Sequence, residues 1–290
     1  LANRGLHHWF LPKLSISPSS ARPVPELAGI EHVTRGVLLG SPEHKVRRAV
    51  ATYRNQGEWE VSKIAMADEG HEILASEANA LAGIQPFTDA VPRLLGLHSI
   101  DDLTLLRMPY LTGMPLDSGE THGVLGLLES WKRDLPLQRA DQFNEWPSIE
   151  RALSISTEGK SVSSEIRALM LRPMVRHGDF ARWNLLRKND GTITAFDWEW
   201  GHPAGMPGLD LVHYFLQDLR LVQRLPHPDA IEGTVKQMQE SKSSLLLRET
   251  GWPDDLILPV IASLAYKQGA GHQENSAVLN AALSLWAAKQ

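Results

Sequence analysis

The chain has 290 residues, enough for a sizeable core and about two domains' worth of mass. Its 42% hydrophobic and 22% charged content is that of an ordinary globular protein, and a formal charge of −5 without basic runs argues against a nucleic-acid binder. There is no cysteine, so disulfides and thiolate-held metals are excluded, and the 12 histidines show no zinc-site spacing.

In chain order, residues 1–28 read as an extended arm, rich in Pro and Ser from Ser15 to Ala28. No signal-peptide pattern and no membrane-length apolar run occurs, which predicts a cytoplasmic protein with no membrane partner. Three strands follow, His32 to Leu39, Val46 to Arg54 and Trp59 to Ala65, with Asn55-Gln56-Gly57-Glu58 turning between the last two. Period-two alternation in the third strand sets Lys63 on the face of Trp59 and Val61, opposite Glu60 and Ser62. A lysine on an apolar face needs a partner. The next helix offers Glu77, three residues after Leu74 and four before Leu81 on that helix's apolar stripe, so the two charges are expected to meet.

Leu103 to Met108 reads as another strand, and Pro109-Tyr110-Leu111-Thr112-Gly113-Met114-Pro115 as a loop. From Gly119 the periodicity is helical: Val124 to Leu135, Ser164 to Leu171, Leu209 to Val222, Ala230 to Thr250, Asp254 to Gln268 and Ser276 to Lys289. Residues 137–163 carry no motif.

Between the second and third of these helices lies His177-Gly178-Asp179-Phe180-Ala181-Arg182-Trp183-Asn184, with Asp197-Trp198-Glu199 beginning thirteen residues after Asn184. Asn184 to Lys188 and Thr192 to Phe196 read as two short strands around Asn189-Asp190-Gly191, residues that tolerate positive φ in a tight turn. That turn is centred between Asn184 and Asp197, so the hairpin is expected to oppose them, about 4.5–5.5 Å apart, close enough to share one hard cation. An acid able to receive a hydroxyl proton beside an oxygen-ligand metal site is the equipment of ATP-dependent phosphoryl transfer.

These motifs resemble the catalytic loop and metal-binding segment of the aminoglycoside phosphotransferase and choline kinase superfamily. The resemblance implies an α+β, bilobed protein-kinase-like fold, with a small β-rich nucleotide lobe over residues 1–112 and a larger, mostly helical catalytic and substrate lobe over 113–290. It implies that Asp179 is the base, that Asn184 and Asp197 hold Mg²⁺, and that Lys63, set by Glu77, holds the α/β-phosphates of ATP or GTP. His177, Glu199 and Asp210 support the site. Asp210 is explained equally as a helix N-terminal acid and as the family's acceptor for catalytic-loop amides. Pro109 and Leu111 match the hinge that meets the nucleotide base, while Gly40 and Ser41 sit where the phosphate-covering loop belongs. That loop departs from the family pattern, since it lacks G-x-G-x-x-G and Pro42 removes a backbone donor. Arg182 departs too, but is expected to offset charge on the transferring group.

Twelve residues separate Asp197 from Asp210, with no long activation segment and no Ala-Pro-Glu, which points to a small-molecule hydroxyl rather than a protein acceptor. Amino sugars, sugars, choline-like alcohols and vitamin alcohols all satisfy the pattern. Trp146, Trp198, Trp200 and Trp252 lie in the half expected to hold the acceptor, where tryptophan faces can bind a quaternary ammonium, though core or rim positions are their commoner use. Glu199 and Asp218 would favour a cationic acceptor. The rival readings are a catalytically silent nucleotide-binding module and a protein kinase. Against the first, no catalytic position is substituted.

Overall fold

The structure, a computed structural model, describes residues 30–39, 48–65, 68–100, 103–117, 120–271 and 276–290. Gly40 and Ser41 therefore lie outside the described residues. The chain divides into two units. One takes the described residues up to Gln85 with Val91–Thr112, and the other takes Pro86–Ala90 with Gly113–Gln290.

In the first unit, β1 (Ile30–Leu39), β2 (Arg48–Asn55), β3 (Glu58–Ala65), β4 (Gly96–Ile100) and β5 (Leu103–Pro109) form one antiparallel sheet in the order β1-β2-β3-β5-β4. Gln56 and Gly57 close the β2–β3 hairpin with φ of +51° and +86°, a two-residue turn whose twist matches the flanking strands. Helix α1 (Asp68–Ile84) packs on β3, β4 and β5 through Leu74, Ala78, Leu81 and Ile84. Burial along β3 corrects the expected apolar face. Glu60 and Ser62 are the buried pair, and Trp59, Val61 and Lys63 are half-buried. The reason is a closed polar cluster. Arg107 donates from Nε and Nη2 to the Glu60 carboxylate at 2.8–3.1 Å, Asn55 donates to it at 2.8 Å, and Tyr53 Oη lies 2.7 Å from Ser62 Oγ. Polar groups with their partners supplied can be buried where a bare carboxylate could not.

The second unit holds short strands and most of the helices: β6 (Met114–Pro115), α2 (Thr121–Ser130), β7 (Gln138–Arg139), α3 (Trp146–Leu153), α4 (Thr157–Ala168), β8 (Met170–Leu171), β9 (Met174–Arg176), β10 (Leu185–Arg187), β11 (Ile193–Ala195), β12 (His202–Gly205), α5 (Leu209–Gln217), α6 (His227–Gln239), α7 (Ser241–Glu249), α8 (Ile257–Gly269) and α9 (Ser276–Ala287). Every residue of α5 is buried, as is the run Ile257–Ala265 of α8, and α8 packs against α3, α5 and α9. Several expected boundaries move. The Ala230 to Thr250 helix is two helices broken at Glu240, whose ψ of 144° is extended. Helix α3 falls in the segment without a motif and begins with Pro147 in its first turn. Helix α4 starts seven residues before the expected Ser164, because Ser156 caps it by accepting from Gly159 N at 2.9 Å. Among the described residues no helix is long and apolar enough to cross a membrane.

Candidate active site

Strand β9, paired with β12 and wholly buried, delivers the chain to His177. Glu145, just ahead of α3, fixes that approach through an ion pair with Arg176 at 2.6 Å, both side chains nearly inaccessible. This gives the motif-free segment a role in holding β9. At Gly178 the backbone turns with φ +85°, and a Cβ there would lie 2.5 Å from the Trp200 Cβ, so glycine is required on both counts. Asp210, at the start of α5, reaches back and accepts from His177 N at 2.6 Å and Gly178 N at 2.9 Å. Its carboxylate is spent on the loop, and the helix N-cap is Gly208 instead.

His177 is buried and faces Trp198, ring centroids 4.6 Å apart. Its Nε2 lies 2.9 Å from Phe196 O and its Nδ1 accepts from Asp179 N at 3.2 Å, which assigns the proton to Nε2. Burial lowers the His177 pKa against the opposing pull of Asp210, the Phe196 carbonyl, Asp179 and Asp197, so the ring is neutral.

Asp179 is the most heavily solicited carboxylate of the loop. Oδ1 is 2.9 Å from His213 Nε2 on α5 and 3.7 Å from Lys267 Nζ on α8, while Oδ2 accepts from Asn184 Nδ2 at 3.0 Å. Burial alone would raise its pKa. The His213 hydrogen bond and charge, then the Lys267 ammonium, overcome burial and hold the carboxyl well below the usual carboxylate range. The side chain is still 37% exposed, so one edge of the carboxylate meets solvent.

The turn Arg182–Asn184 then aims Asn184 inward, where Nδ2 donates to Asp179 O at 2.9 Å as well as to Oδ2. Both amide hydrogens are thus committed to Asp179, leaving the carboxamide oxygen for another partner. The hairpin register corrects the expected opposition. Leu185 pairs with Ala195 and Phe196 N donates to Asn184 O at 3.0 Å, so Asn184 opposes Phe196 and Asp197 lies one residue beyond. Asp197 takes a left-handed φ of +70°, uncommon for a residue with a Cβ, and bends the chain as it leaves β11. A carboxamide oxygen and a carboxylate are hard oxygen donors. Magnesium takes one or two such protein ligands and completes its shell with water and phosphate, so this donor set fits it. No group of three or more His, Asp or Glu side chains suited to a metal occurs among the described residues.

Arg182 lies 3.4 Å from Asp218, so both charges expected to face substrate are at least partly offset by each other. Glu199 is half-buried in the turn that Gly201 N closes on Trp198 O at 2.8 Å. In the first unit, Lys63 Nζ donates to both Glu77 oxygens at 2.7 Å, with Glu77 fully buried and Lys63 15% exposed. Pro109 ends β5 and Leu111 follows it, both half-buried.

No family model and no curated protein matches the sequence. Solved structures do match. An aminoglycoside phosphotransferase (a thermostable mutant, apo form) aligns at TM-score 0.57 and 12% identity over 88% of this chain and 96% of its own. A choline kinase from Streptococcus pneumoniae aligns at 0.52 and 13% over 89% and 95%, and an ethanolamine kinase from Plasmodium vivax at 0.52 and 10% over 91% and 84%. A ternary complex of the phosphotransferase with ADP and hygromycin B aligns at 0.52 and 14% over 87% and 93%. The chain has the protein-kinase-like fold of these small-molecule kinases.

Within that fold, three of the four tryptophans in the half expected to hold an acceptor are core residues, the commoner use for the type. Trp146, Trp198 and Trp252 are each under 5% exposed, and the last two donate their indole N–H to Ala195 O and Pro207 O. Trp200 at 41% and Trp183 at 46% are exposed. The motif reading missed His213 and Lys267 altogether. A signal existed for both. Asp210, His213 and Gln217 recur at three- and four-residue steps in an otherwise apolar α5, and Ser263 and Lys267 at a four-residue step in α8.

Proposed function

We propose that this chain transfers the γ-phosphoryl group of ATP or GTP to a hydroxyl group of a small molecule; its structural neighbours are named as an aminoglycoside phosphotransferase, a choline kinase and an ethanolamine kinase. The observation that carries the reading is the Asp179 carboxylate, held at both oxygens yet open along one edge, with Asn184 turned against it. The phosphotransferase neighbour with ADP and hygromycin B supports the same pair of ligand classes here.

The acceptor hydroxyl donates to the open lone pair of Asp179, which aims the hydroxyl oxygen at the γ-phosphorus. As the new O–P bond forms, the bond from phosphorus to the bridging β–γ oxygen breaks and the nucleoside diphosphate leaves with those electrons. The hydroxyl proton passes to the Asp179 carboxylate. A carboxylate this weakly basic takes the proton late, once O–P bonding has made the hydroxyl acidic, so orientation is the larger part of its work. Magnesium held by Asn184 and Asp197 would neutralise phosphate charge. Lys63, kept extended by Glu77, binds α/β-phosphate oxygens, and Pro109 and Leu111 offer backbone groups to the nucleotide base. Arg182 is held by Asp218 in this state and has no assigned step.

Thermal unfolding with ATP, with and without Mg²⁺, tests the reading. Ligand at a hundredfold over its Kd stabilises by about 2.7 kcal/mol, so a rise in Tm is expected with metal and little without it. No rise over a wide ATP range with metal present would contradict the proposal.

A further inference from the structure

We infer that His213 and Lys267 are positioning residues that fix the orientation of the Asp179 carboxylate. The inference rests on the function proposed above and adds two residues that lie outside every motif of the chain.

An imidazole 6% exposed inside an all-buried helix must place its N–H on an acceptor or forfeit a hydrogen bond. Here that acceptor is the Oδ1 of the proposed base, at 2.9 Å. The buried ammonium of Lys267 donates to the carbonyl of Gly178 at 2.7 Å, the peptide immediately before Asp179, and stands 3.7 Å from the same Oδ1. On the far oxygen sits Asn184 Nδ2. Each carboxylate oxygen offers two in-plane lone pairs. His213 takes one on Oδ1 and Asn184 one on Oδ2, so rotating the carboxylate about χ2 would break both bonds together. A lone pair on each oxygen remains outside these two bonds, and the side chain is 37% exposed, so an acceptor hydroxyl can reach the carboxylate. Helices α5 and α8 pack against each other, so this geometry is set by the rigid part of the second unit rather than by the loop itself.

The test compares His213→Gln with His213→Phe in the full chain. Gln carries an amide nitrogen as many bonds from Cα as Nε2 and keeps the donor. Phe keeps the ring volume and loses it. With ATP, Mg²⁺ and a panel of choline, ethanolamine and hygromycin B, Phe is expected to lower kcat by about 10–100-fold with the KM for ATP nearly unchanged, because misplacing a reacting group has costs of that order. Gln is expected to recover to within about fivefold of the parent. The reverse order, Phe active and Gln not, would mean the ring only packs, and loss in both would mean the imidazole carries the proton itself. Either overturns the inference.

A double-mutant cycle of Asp179→Ala and His213→Ala on urea unfolding needs no activity. Coupling above about fivefold in the unfolding constant supports the contact, and additivity within about twofold overturns it. If no panel alcohol accepts phosphate, the function proposed for this site is what has failed, and the cycle alone decides whether His213 holds Asp179.

Discussion

Glu77 and Asp179 are both carboxylates drawn out of water toward a cation, and they are stabilised in different ways. Glu77 is fully buried, and Lys63 reaches both of its oxygens from a neighbouring strand, fourteen residues away in sequence. Asp179 keeps 37% of its side chain exposed and is held from three directions, by His213, Lys267 and Asn184. The first arrangement closes a carboxylate off and uses it to hold a lysine. The second pins a carboxylate while leaving an edge for a reactant. Burial with a partner makes a brace, and partial exposure with several partners suits the proposed site.

The largest effect that would break this contrast is on turnover. Asp179→Ala is expected to lower phosphate transfer by about 10²–10⁴-fold, the usual contribution of a general base, while the ATP-dependent rise in Tm persists. Asp197→Ala should lose both. Equal loss of nucleotide binding in the two variants would show that the roles are wrongly divided.

Next in size is the brace. Lys63→Ala leaves Glu77 buried without its ammonium partner, at a cost of about 3–5 kcal/mol in urea unfolding of the apo protein. Combined with Glu77→Ala, coupling within about 0.5 kcal/mol of zero would deny that the pair matters to stability.

Asp210→Asn sharpens the comparison from the side of the loop. It keeps one acceptor oxygen but turns an amide nitrogen toward a buried backbone N–H, for a loss of about 1–3 kcal/mol. A smaller loss would mean that the loop holds its shape without Asp210.

The two lowered pKa values predict different acid limits. His177 is neutral and buried with a pKa below its unfolded value of 6.5, so the unfolded state binds the extra proton and stability falls as pH drops below about 6.5. Asp179 is also lowered, but its stabilisation is present above the unfolded carboxylate pKa and is lost only as pH falls below that range. Urea midpoints from pH 8 to 5 should decline in the parent and decline less in His177→Gln. An equal decline in both would assign the loss to other groups.

The Lys63–Glu77 contact was legible because each partner sits on a regular element whose period fixes its face. The His177–Asn184 loop stood out as a motif by its spacing, and the chemistry assigned to it is the proposal. Of its supports, Asp210 was legible through the resemblance, as the acceptor for the loop's amides. His213 and Lys267 were not: they come from helices 34 and 88 residues further along the chain than Asp179, and only packing brings them to it. The hairpin slipped by one residue because a pattern gives the turn but hydrogen bonds give the register. The buried face of β3 was misread for a similar reason. Glu60 and Ser62 look like surface residues until Arg107, from a strand 47 residues later, partners the first and Tyr53 the second, which lets them go inside.

Transfer of labelled γ-phosphate from ATP with Mg²⁺ to a panel of small alcohols and amino sugars, by the parent chain and by Asp179→Asn, tests the central claim most directly. A phosphorylated alcohol formed by the parent and lost in the variant, with the Tm rise on ATP intact in both, is the predicted result. Transfer undiminished in Asp179→Asn would contradict the account.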